Sequence, residues 1–259
     1  MKLWSNQIPF YNNEAITPNE LTLYLLETDK PLPCVVIFPG GAYGGRAAHE
    51  GVDIARFFNT CGIHAAVVEY RVEPNRYPAP VADAQRAVRT IRANATAWGI
   101  APNRIVTCGF SAGGHLAAAE MLLPDVYSTS YEGDAIDRED LRPNGAILCY
   151  PVISVSEDFG HVGSGKNLLG DRYEQEKENF HLEKYITEQT PPVFLWHTSN
   201  DGSVNVKNSL IFGECLRDCG VQFEMHIFPN GKHGLGLAKA HADICKWAEL
   251  AVDWIQKNI

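Results

Sequence analysis

Short apolar runs, separated by segments with helical periodicity, recur along most of this 259-residue chain. Most of the runs are continuously apolar and do not alternate with polar residues, which is typical of strands covered on both faces. Runs that predict strands lie at 34–41, 64–70, 104–110, 145–151, 192–198 and 222–228, with an edge strand at 21–26. Strands that alternate with helices at this spacing predict an α/β fold with a doubly wound, mainly parallel sheet and helices on both faces.

Three segments carry an apolar stripe at helical spacing. The first begins after Pro80 and extends to Trp98, which we therefore interpret as a core residue and not as a platform for a ligand. Residues 205–219 and 240–257 have the same spacing. The stripe of the last segment consists of Ile244, Trp247, Ala251 and Trp254. These patterns predict three helices packed against the sheet.

Two polar, charge-rich segments interrupt the alternation, at about 124–143 and 154–190. Neither has the length or composition of a separate domain. We therefore predict one domain over residues 1–259, in which both segments form loops or small lid elements. No internal repeat or low-complexity tract is present in the sequence.

The formal net charge of −9 makes nucleic acids and anionic membrane surfaces poor partners. The seven cysteines are odd in number and lack a C-x-x-C spacing, which favours buried free thiols in a reducing compartment. Residues 1–13 lack the apolar core of a signal peptide. We therefore predict a cytoplasmic protein without a membrane or nucleic-acid partner. A core of this size needs no metal to fold, and we predict neither a metal nor a cofactor.

The stretch "GFSAG" at 109–113 matches the pattern G-x-S-x-G between a predicted strand and a predicted helix. The pattern alone is weak, but this context is the one that a nucleophile elbow requires. Gly109 and Gly113 leave room for a strained turn, and Gly114 lets the following helix pack close to the strand. The turn would present Ser111 at the carboxyl ends of the strands, where open α/β sheets bind ligands.

A serine hydroxyl needs a general base and an acid that orients the base, and in this context the acid precedes a C-terminal histidine. His233 lies in a glycine-flanked loop directly after the last predicted strand, and we predict it as the base. His226 lies inside that strand, and His241 lies on the predicted C-terminal helix. Both positions suit a packed residue better than a mobile imidazole.

For the acid, Asp201 follows the predicted strand 192–198 directly and lies at the carboxyl edge of the sheet. Asp171 lies in the longer insert and Asp218 on a predicted helix, so we prefer Asp201. The alternative interpretation of Asp201 is a turn or N-cap aspartate.

The glycine-rich stretch "FPGGAYGG" at 38–45 follows an early strand. Such backbone leaves amides free to stabilise a developing oxyanion. We predict that the amides of Gly41, Ala42 and Ala112 form this oxyanion hole. A phosphate-binding loop is the competing interpretation, but no Lys-Ser or Lys-Thr follows at the required spacing.

From about Cys34 to Trp254, the chain resembles an α/β-hydrolase of the hormone-sensitive-lipase-like group. It is most similar to the bacterial acetyl and feruloyl esterases that act on decorated plant polysaccharides. The segments that carry the resemblance are "FPGGAY", "YPAPVADAQRAVRTIRANATAWGIAPNRI", "GFSAGGHLAA", "GSGKNLLG" (163–170), "HTSNDGSVNVKNS" (197–209) and "GKHGLGL". The resemblance implies Ser111, Asp201 and His233 as a catalytic triad.

The chain departs from the family pattern at three positions. Pro39 stands where the lipase-like pattern has histidine, and Ala42 where it has a third glycine. Both changes leave the backbone amides of the predicted oxyanion hole in place. They therefore weaken the assignment to the lipase-like branch of the family and not the prediction of the oxyanion hole. Asn205 replaces a proline, which is expected to loosen the acid loop. Asp83 and His115 also match family positions, and we interpret both as structural.

The residues and the resemblance together predict a serine carboxylesterase that hydrolyses short esters. Acetyl esters of a carbohydrate, such as an acetylated xylo-oligosaccharide, are the preferred substrates. Feruloyl esters are the first alternative, since aromatic residues of the inserts would then line the site, although local packing is our preferred interpretation of Tyr127, Phe159 and Tyr173. A serine peptidase of the same fold and a non-catalytic binding domain are further alternatives. The expected partner is a small-molecule or oligosaccharide ester, and a homodimer is left open.

Overall fold

A seven-stranded sheet forms the centre of the computed structural model, which describes residues 1–4, 7–12, 19–128 and 133–259. The strands are β1 (Glu20–Tyr24), β2 (Leu32–Phe38), β3 (His64–Glu69), β4 (Ile100–Phe110), β5 (Gly145–Cys149), β6 (Val193–Thr198) and β7 (Phe223–Phe228). Their order in the sheet is β1-β3-β2-β4-β5-β6-β7. Strand β1 pairs with β3 in antiparallel orientation, and the other pairs are parallel. The predicted strands and the predicted edge strand are thus confirmed.

Seven α-helices accompany the sheet in the described residues. They are α1 (Val52–Thr60), α2 (Ala79–Ala93), α3 (Ala112–Leu122), α4 (Val162–Leu169), α5 (Tyr173–Glu176), α6 (Lys207–Asp218) and α7 (Lys246–Asn258). Short 3₁₀ helices lie at Ala48–Glu50, Ala135–Arg138, Gly170–Arg172, Lys177–Phe180 and Leu182–Tyr185.

Two of the predicted helix ends were wrong. Helix α2 ends at Ala93, and Trp98 lies in the turns that follow, half-buried against the core. Helix α7 begins at Lys246 and not at residue 240, because tight turns occupy the preceding segment. His241 therefore lies before this helix. The stripe extends into these turns because Ile244 is buried in the same core as the helix residues.

Both faces of the sheet are covered by helices. Along β2, Val36 and Phe38 contribute to the core that includes residues of α2, α3 and α6. Val35 and Ile37 point to the opposite core, which includes residues of α1 and α7. Since each face of the strand is buried, apolar residues are favoured at every position. This confirms the predicted doubly wound arrangement and explains why the apolar runs do not alternate.

Loops that follow four of the parallel strands meet at one edge of the sheet. Strand β4 is central, with β2 on one side and β5 on the other. Ser111 follows β4 directly, and the glycine-rich loop follows β2. Asp201 and His233 lie beyond the ends of β6 and β7. The sheet order therefore brings residues that are distant in sequence to one place.

The longer insert, 154–190, is built mainly of short helices. It includes α4, α5 and three 3₁₀ helices, and it packs against α3 and α6. In the described part of the shorter insert, Arg86 pairs with Asp134 and Asp137 at 2.6 and 2.8 Å. Both inserts are thus anchored to the sheet-packing helices. The aromatic residues of the inserts pack locally: Tyr127 and Tyr173 are buried, and Phe159 contacts the ring of His181.

All seven cysteines are free, and Cys34, Cys108 and Cys149 are buried. Burial raises the pKa of the Cys34 thiol well above its ordinary value. Among the helices in the described ranges, none has the length and apolar character needed to cross a membrane.

Candidate active site

Ser111 occupies a sharp turn between β4 and α3. Its backbone angles are φ +55° and ψ −119°, a strained conformation for a residue other than glycine. The Ser111 N–H donates to the carbonyl of Cys149 at 3.0 Å, and the Ser111 carbonyl accepts from Val152 at 3.0 Å. Bonds to the chain on either side of Tyr150 therefore hold the strained turn in place.

Three glycines around Ser111 have distinct steric roles. A Cβ atom on Gly109 would lie 2.1 Å from the Gly113 carbonyl oxygen, inside the turn. A Cβ atom on Gly113 would lie 2.1 Å from the carbonyl oxygen of Phe38, at the end of β2. A Cβ atom on Gly114 would meet Pro151 at 2.8 Å. Gly109 thus permits the turn. Gly113 also lets α3 pack against the start of the glycine-rich loop. Gly114 lets α3 pack against the chain that follows β5.

The structure brings Ser111, Asp201 and His233 together in a continuous hydrogen-bonded chain. His233 Nε2 lies 2.8 Å from Ser111 Oγ, and His233 Nδ1 lies 2.7 Å from Asp201 Oδ2. The other candidates lie elsewhere. His226 contacts Glu224 within β7, and Asp171 and Asp218 are exposed.

The Asp201 side chain is 1% exposed, and both of its oxygens accept hydrogen bonds. Its Oδ1 accepts from the amides of Ser203 and Val204 at 2.8 and 3.0 Å. Burial alone would raise the pKa of Asp201, but hydrogen bonds from His197, His233 and these two amides hold it below its ordinary value. Asp201 is therefore a carboxylate at neutral pH, so His233 Nδ1 carries the proton and Nε2 is free to accept one from Ser111.

Sequence reasoning missed the second histidine beside this carboxylate. His197 Nε2 lies 3.4 Å from Asp201 Oδ2 and 3.0 Å from the Val204 carbonyl, and its Nδ1 lies 2.8 Å from Ser209 Oγ. The sequence did contain a signal: His197 lies four residues before Asp201, within an otherwise apolar strand.

Asn205, which was expected only to loosen the acid loop, makes a contact of its own. Its side-chain oxygen accepts from the Lys207 amide at 2.9 Å, at the start of α6.

Gly41 and Ala42 line a cavity of about 300 Å³ together with Ser111 and His233. The amide of Gly40 donates to Glu50 Oε2 at 2.8 Å. Within the described ranges, no residue accepts a hydrogen bond from the N–H groups of Gly41, Ala42 or Ala112. Among the described residues, these three predicted donors thus have no competing acceptor.

Two buried side chains, Tyr43 and His115, and the half-buried Asn167 support the glycine-rich loop. Ala42 and Tyr43 have positive φ angles of 53° and 58°. The Tyr43 hydroxyl lies 2.8 Å from His115 Nδ1, and burial lowers the pKa of His115 to about 3. Asn167 of α4 donates from Nδ2 to the Ala42 carbonyl at 2.9 Å. The side chains of His115 and Asn167 thus hold the loop, and the His115 amide also donates to the Ser111 carbonyl at 3.1 Å. Asp83 lies apart and binds Arg71 and Trp4.

The glycine-rich loop and the histidine loop are linked through two buried side chains. The Tyr150 hydroxyl donates to Glu50 Oε1 at 2.6 Å and accepts from the Gly236 amide at 2.9 Å. Glu50 in turn accepts from the Gly40 amide. The Tyr150 ring also lies edge-on to the His233 ring, with centroids 5.0 Å apart. One hydroxyl group therefore couples the loop after β2 to the loop after β7.

Replacing Tyr150 with phenylalanine should lower both stability and kcat. The change leaves Glu50 Oε1 and the Gly236 amide unpaired in a buried site, which costs about 1–3 kcal/mol of unfolding free energy. Because the two loops then lose their link, we expect kcat to fall about 10- to 100-fold. Tyr173→Phe is the matched control, since it removes a buried hydroxyl bonded to the Val155 carbonyl. Urea denaturation and initial rates should show a stability loss in both variants and a kcat loss only in Tyr150→Phe. An unchanged kcat in Tyr150→Phe would contradict the coupling.

The comparison with protein families decides the assignment. Residues 21–216 match the BD-FAE family. The chain belongs to the BD-FAE family. This assignment to α/β-hydrolase esterases confirms the resemblance found in the sequence.

Individual relatives agree with the assignment to an esterase family. The chain is 37% identical over 237 residues to endo-1,4-beta-xylanase B of Butyrivibrio fibrisolvens, covering 88% of this chain and 36% of that protein. It is 34% identical over 210 residues to an acetylxylan esterase of Xylanibacter ruminicola, covering 78% of this chain and 41% of that protein. The chain thus spans about two fifths of the length of these curated relatives.

A solved structure shows the same fold over nearly the whole chain. The crystal structure of an acetyl ester-xyloside bifunctional hydrolase from Caldicellulosiruptor lactoaceticus superposes with a TM-score of 0.93 at 43% identity. The match covers 99% of this chain and 94% of the other. The predicted α/β-hydrolase fold is therefore confirmed.

Two histidines of the cavity wall were not found by sequence reasoning. His161 lies at the start of α4 in the longer insert, and His49 precedes α1. Both precede Asp201 in the sequence, so neither met the criterion that the histidine follows the acid. Among the described residues, no group of three or more histidine, cysteine, aspartate or glutamate side chains is arranged to hold a metal ion.

Proposed function

We propose that this chain is a serine esterase that removes acetyl groups from carbohydrates, such as acetylated xylo-oligosaccharides, through an acyl-enzyme on Ser111. The observation that carries the proposal is the chain of contacts from Ser111 Oγ through His233 to Asp201, at 2.8 and 2.7 Å. It lies beside three amides without a hydrogen-bond partner in the described part of the chain.

The geometry supports a two-step acyl transfer. Ser111 Oγ attacks the ester carbonyl carbon while His233 Nε2 accepts its proton. The imidazolium that forms is stabilised by Asp201, and the amides of Gly41, Ala42 and Ala112 donate to the oxyanion. His233 then protonates the leaving alcohol, and the C–O bond to the alcohol breaks. Water, deprotonated by His233, attacks the acetyl group on Ser111 and releases acetate, which restores the serine hydroxyl.

The cavity supports a small acyl group. Its lining contains no phenylalanine, tyrosine or tryptophan among the described residues, so no large aromatic side chain is present there to pack against a feruloyl ring. Tyr127, Phe159 and Tyr173, the candidates for such a partner, lie outside this lining. The names of two relatives, an acetylxylan esterase and an acetyl ester-xyloside hydrolase, support an acetylated carbohydrate as the substrate.

A panel of esters tests this proposal. We expect kcat/KM to decrease from acetyl to butyryl to feruloyl esters of one alcohol. We also expect an acetylated xylo-oligosaccharide to exceed p-nitrophenyl acetate in kcat/KM. An aminoacyl p-nitroanilide serves as the control for peptidase activity and should not be hydrolysed. Higher kcat/KM for the feruloyl ester than for the acetyl ester would contradict the acetyl assignment.

A further inference from the structure

His161 is a cavity side chain without a role in the acyl transfer described above. It belongs to the longer insert, where it is the N-cap residue of α4. It lines the same cavity as Ser111, His233, Gly41 and Ala42. An element outside the strand–helix core of the fold thus contributes a polar group beside the reacting atoms.

The cap of α4 determines which nitrogen of His161 carries the proton. His161 Nδ1 accepts from the Ser164 amide at 3.1 Å, and Ser164 Oγ lies 2.8 Å from the same nitrogen. A backbone amide is always a donor, so Nδ1 must present its lone pair. A Cβ atom on Gly163 would lie 3.2 Å from His161 Cε1, so the glycine leaves room for the ring in this position. The neutral ring therefore has its proton on Nε2.

The ring is also held in the neutral form. Burial lowers the pKa of His161, and the nearby His233 lowers it further, while Asp201 acts in the opposite direction. Protonation would in addition place an N–H group at Nδ1 against the Ser164 amide. His161 is thus an uncharged donor at neutral pH and does not compete with His233 for the proton of Ser111.

His161 Nε2 has no hydrogen-bond partner within the described ranges. The other polar side chains of the cavity complement it. His49 Nε2 lies 3.0 Å from the Gly234 carbonyl and donates to it, so Nδ1 of the neutral ring is an acceptor. The Ser203 hydroxyl, which also lines the cavity, can donate or accept. The Glu50 carboxylate also lines the cavity, where its two oxygens already accept from the Gly40 amide and the Tyr150 hydroxyl. Donors and acceptors around one small cavity suit an alcohol that carries several hydroxyl groups.

We propose that His161 is a specificity-determining residue whose Nε2–H donates a hydrogen bond to an oxygen of the alcohol half of the ester, and thereby selects sugar esters over esters of simple alcohols. This inference rests on the proposed function, since it assigns the sugar-recognising contact of the same site. The longer insert would then bind the alcohol half of the ester. The loops after β2, β4, β6 and β7 would carry the residues that perform the acyl transfer.

Two substitutions separate the donor from the helix cap. In His161→Asn, the side-chain oxygen can occupy the place of Nδ1 and keep the cap, but the Nε2 donor is lost. In His161→Gln, the amide nitrogen can occupy the place of Nε2, but the cap contact is lost. We compare kcat/KM for an acetylated xylo-oligosaccharide and for p-nitrophenyl acetate, which share the acyl group, and follow thermal unfolding of each variant.

We expect His161→Asn to lose about tenfold in kcat/KM on the acetylated xylo-oligosaccharide and less than about threefold on p-nitrophenyl acetate. His161→Gln should keep most of the preference for the sugar ester, although its melting temperature is lower. Equal losses on both substrates, or a preference kept in His161→Asn and lost in His161→Gln, would overturn the inference.

The same measurements distinguish this inference from the proposed function. A wild-type protein that hydrolyses p-nitrophenyl acetate but does not favour the sugar ester overturns sugar recognition by His161 and leaves ester hydrolysis standing. A wild-type protein that hydrolyses neither acetate overturns the proposed function itself.

Discussion

Replacing Ser111 with alanine should lower kcat for p-nitrophenyl acetate by about 10⁴- to 10⁶-fold. The change removes the oxygen that lies 2.8 Å from His233 Nε2, so no acyl-enzyme can form. Alanine has the same Cβ atom as serine, and the bonds from the Ser111 backbone to Cys149 and Val152 do not involve the hydroxyl. We therefore expect the variant to fold normally. Steady-state rates of purified protein, together with labelling by a fluorophosphonate probe, provide the measurement.

Ser128→Ala is the control for this experiment, since Ser128 is exposed and lies in the shorter insert. It should keep the wild-type rate and the labelling. Residual hydrolysis in Ser111→Ala is expected from binding and from the free amides of the oxyanion hole. Rates within about tenfold of wild type, or fluorophosphonate labelling of Ser111→Ala at the wild-type level, would contradict Ser111 as the nucleophile.

Replacing Asp201 with asparagine should lower kcat by about 10⁴-fold. With the asparagine oxygen toward the amides of Ser203 and Val204, its NH₂ group faces His233 Nδ1. The proton of His233 is then forced onto Nε2, which can no longer accept the proton of Ser111. With the asparagine reversed, its NH₂ group faces the two backbone amides, and donors oppose donors. His197 Nε2 faces the same carboxylate oxygen as His233, so it adds a second donor against the NH₂ group in the first orientation. Neither orientation therefore satisfies the site.

This conflict predicts a loss of stability as well, of about 1–3 kcal/mol at neutral pH. In the wild type the folded-state pKa of Asp201 lies below its ordinary value of 3.8. The stabilisation is therefore present above that ordinary value and is lost as the pH falls through the lowered one. The difference in unfolding free energy between wild type and Asp201→Asn should thus narrow in acid.

Asp171→Asn is the matched control, because it makes the same chemical change at an exposed position. It should stay within about 0.5 kcal/mol of the wild type in stability and keep the wild-type rate. Urea denaturation at several pH values and initial rates at neutral pH test both variants. An Asp201→Asn variant with a wild-type rate would show that His233 needs no acid to orient it.

The fold was largely predictable because a strand that is buried on both faces is apolar at nearly every position. Continuous apolar runs such as 193–198 identify strands, whichever helices cover them. Helix ends were less predictable. The stripe of α7 extends to Ile244 because that residue is buried in a turn, and apolar spacing does not distinguish a buried turn from a helix.

The three groups of the hydrogen-bonded chain were predictable because each lies directly beyond the end of a strand. Their position follows from the sheet, and a strand end is visible in the sequence. The residues that support this hydrogen-bonded chain or line its cavity do not lie at positions that a strand end predicts. Glu50, Tyr150 and His161 reach the site through tertiary packing of a 3₁₀ helix, a strand end and an insert. No local pattern marks a residue that meets its partner 100 positions away in sequence, as Tyr150 meets Glu50.

The contact between Glu50, Tyr150 and the Gly236 amide limits how this site can be re-engineered. In loop grafting, the segments around an α/β sheet are treated as independent modules that are exchanged one at a time. Here the loop after β2 and the loop after β7 are not independent, because they share one hydroxyl group supplied by a third segment. A chimera that imports a foreign histidine loop needs the matching tyrosine and glutamate from the same donor protein. The smallest exchangeable unit of this site is therefore a set of three segments.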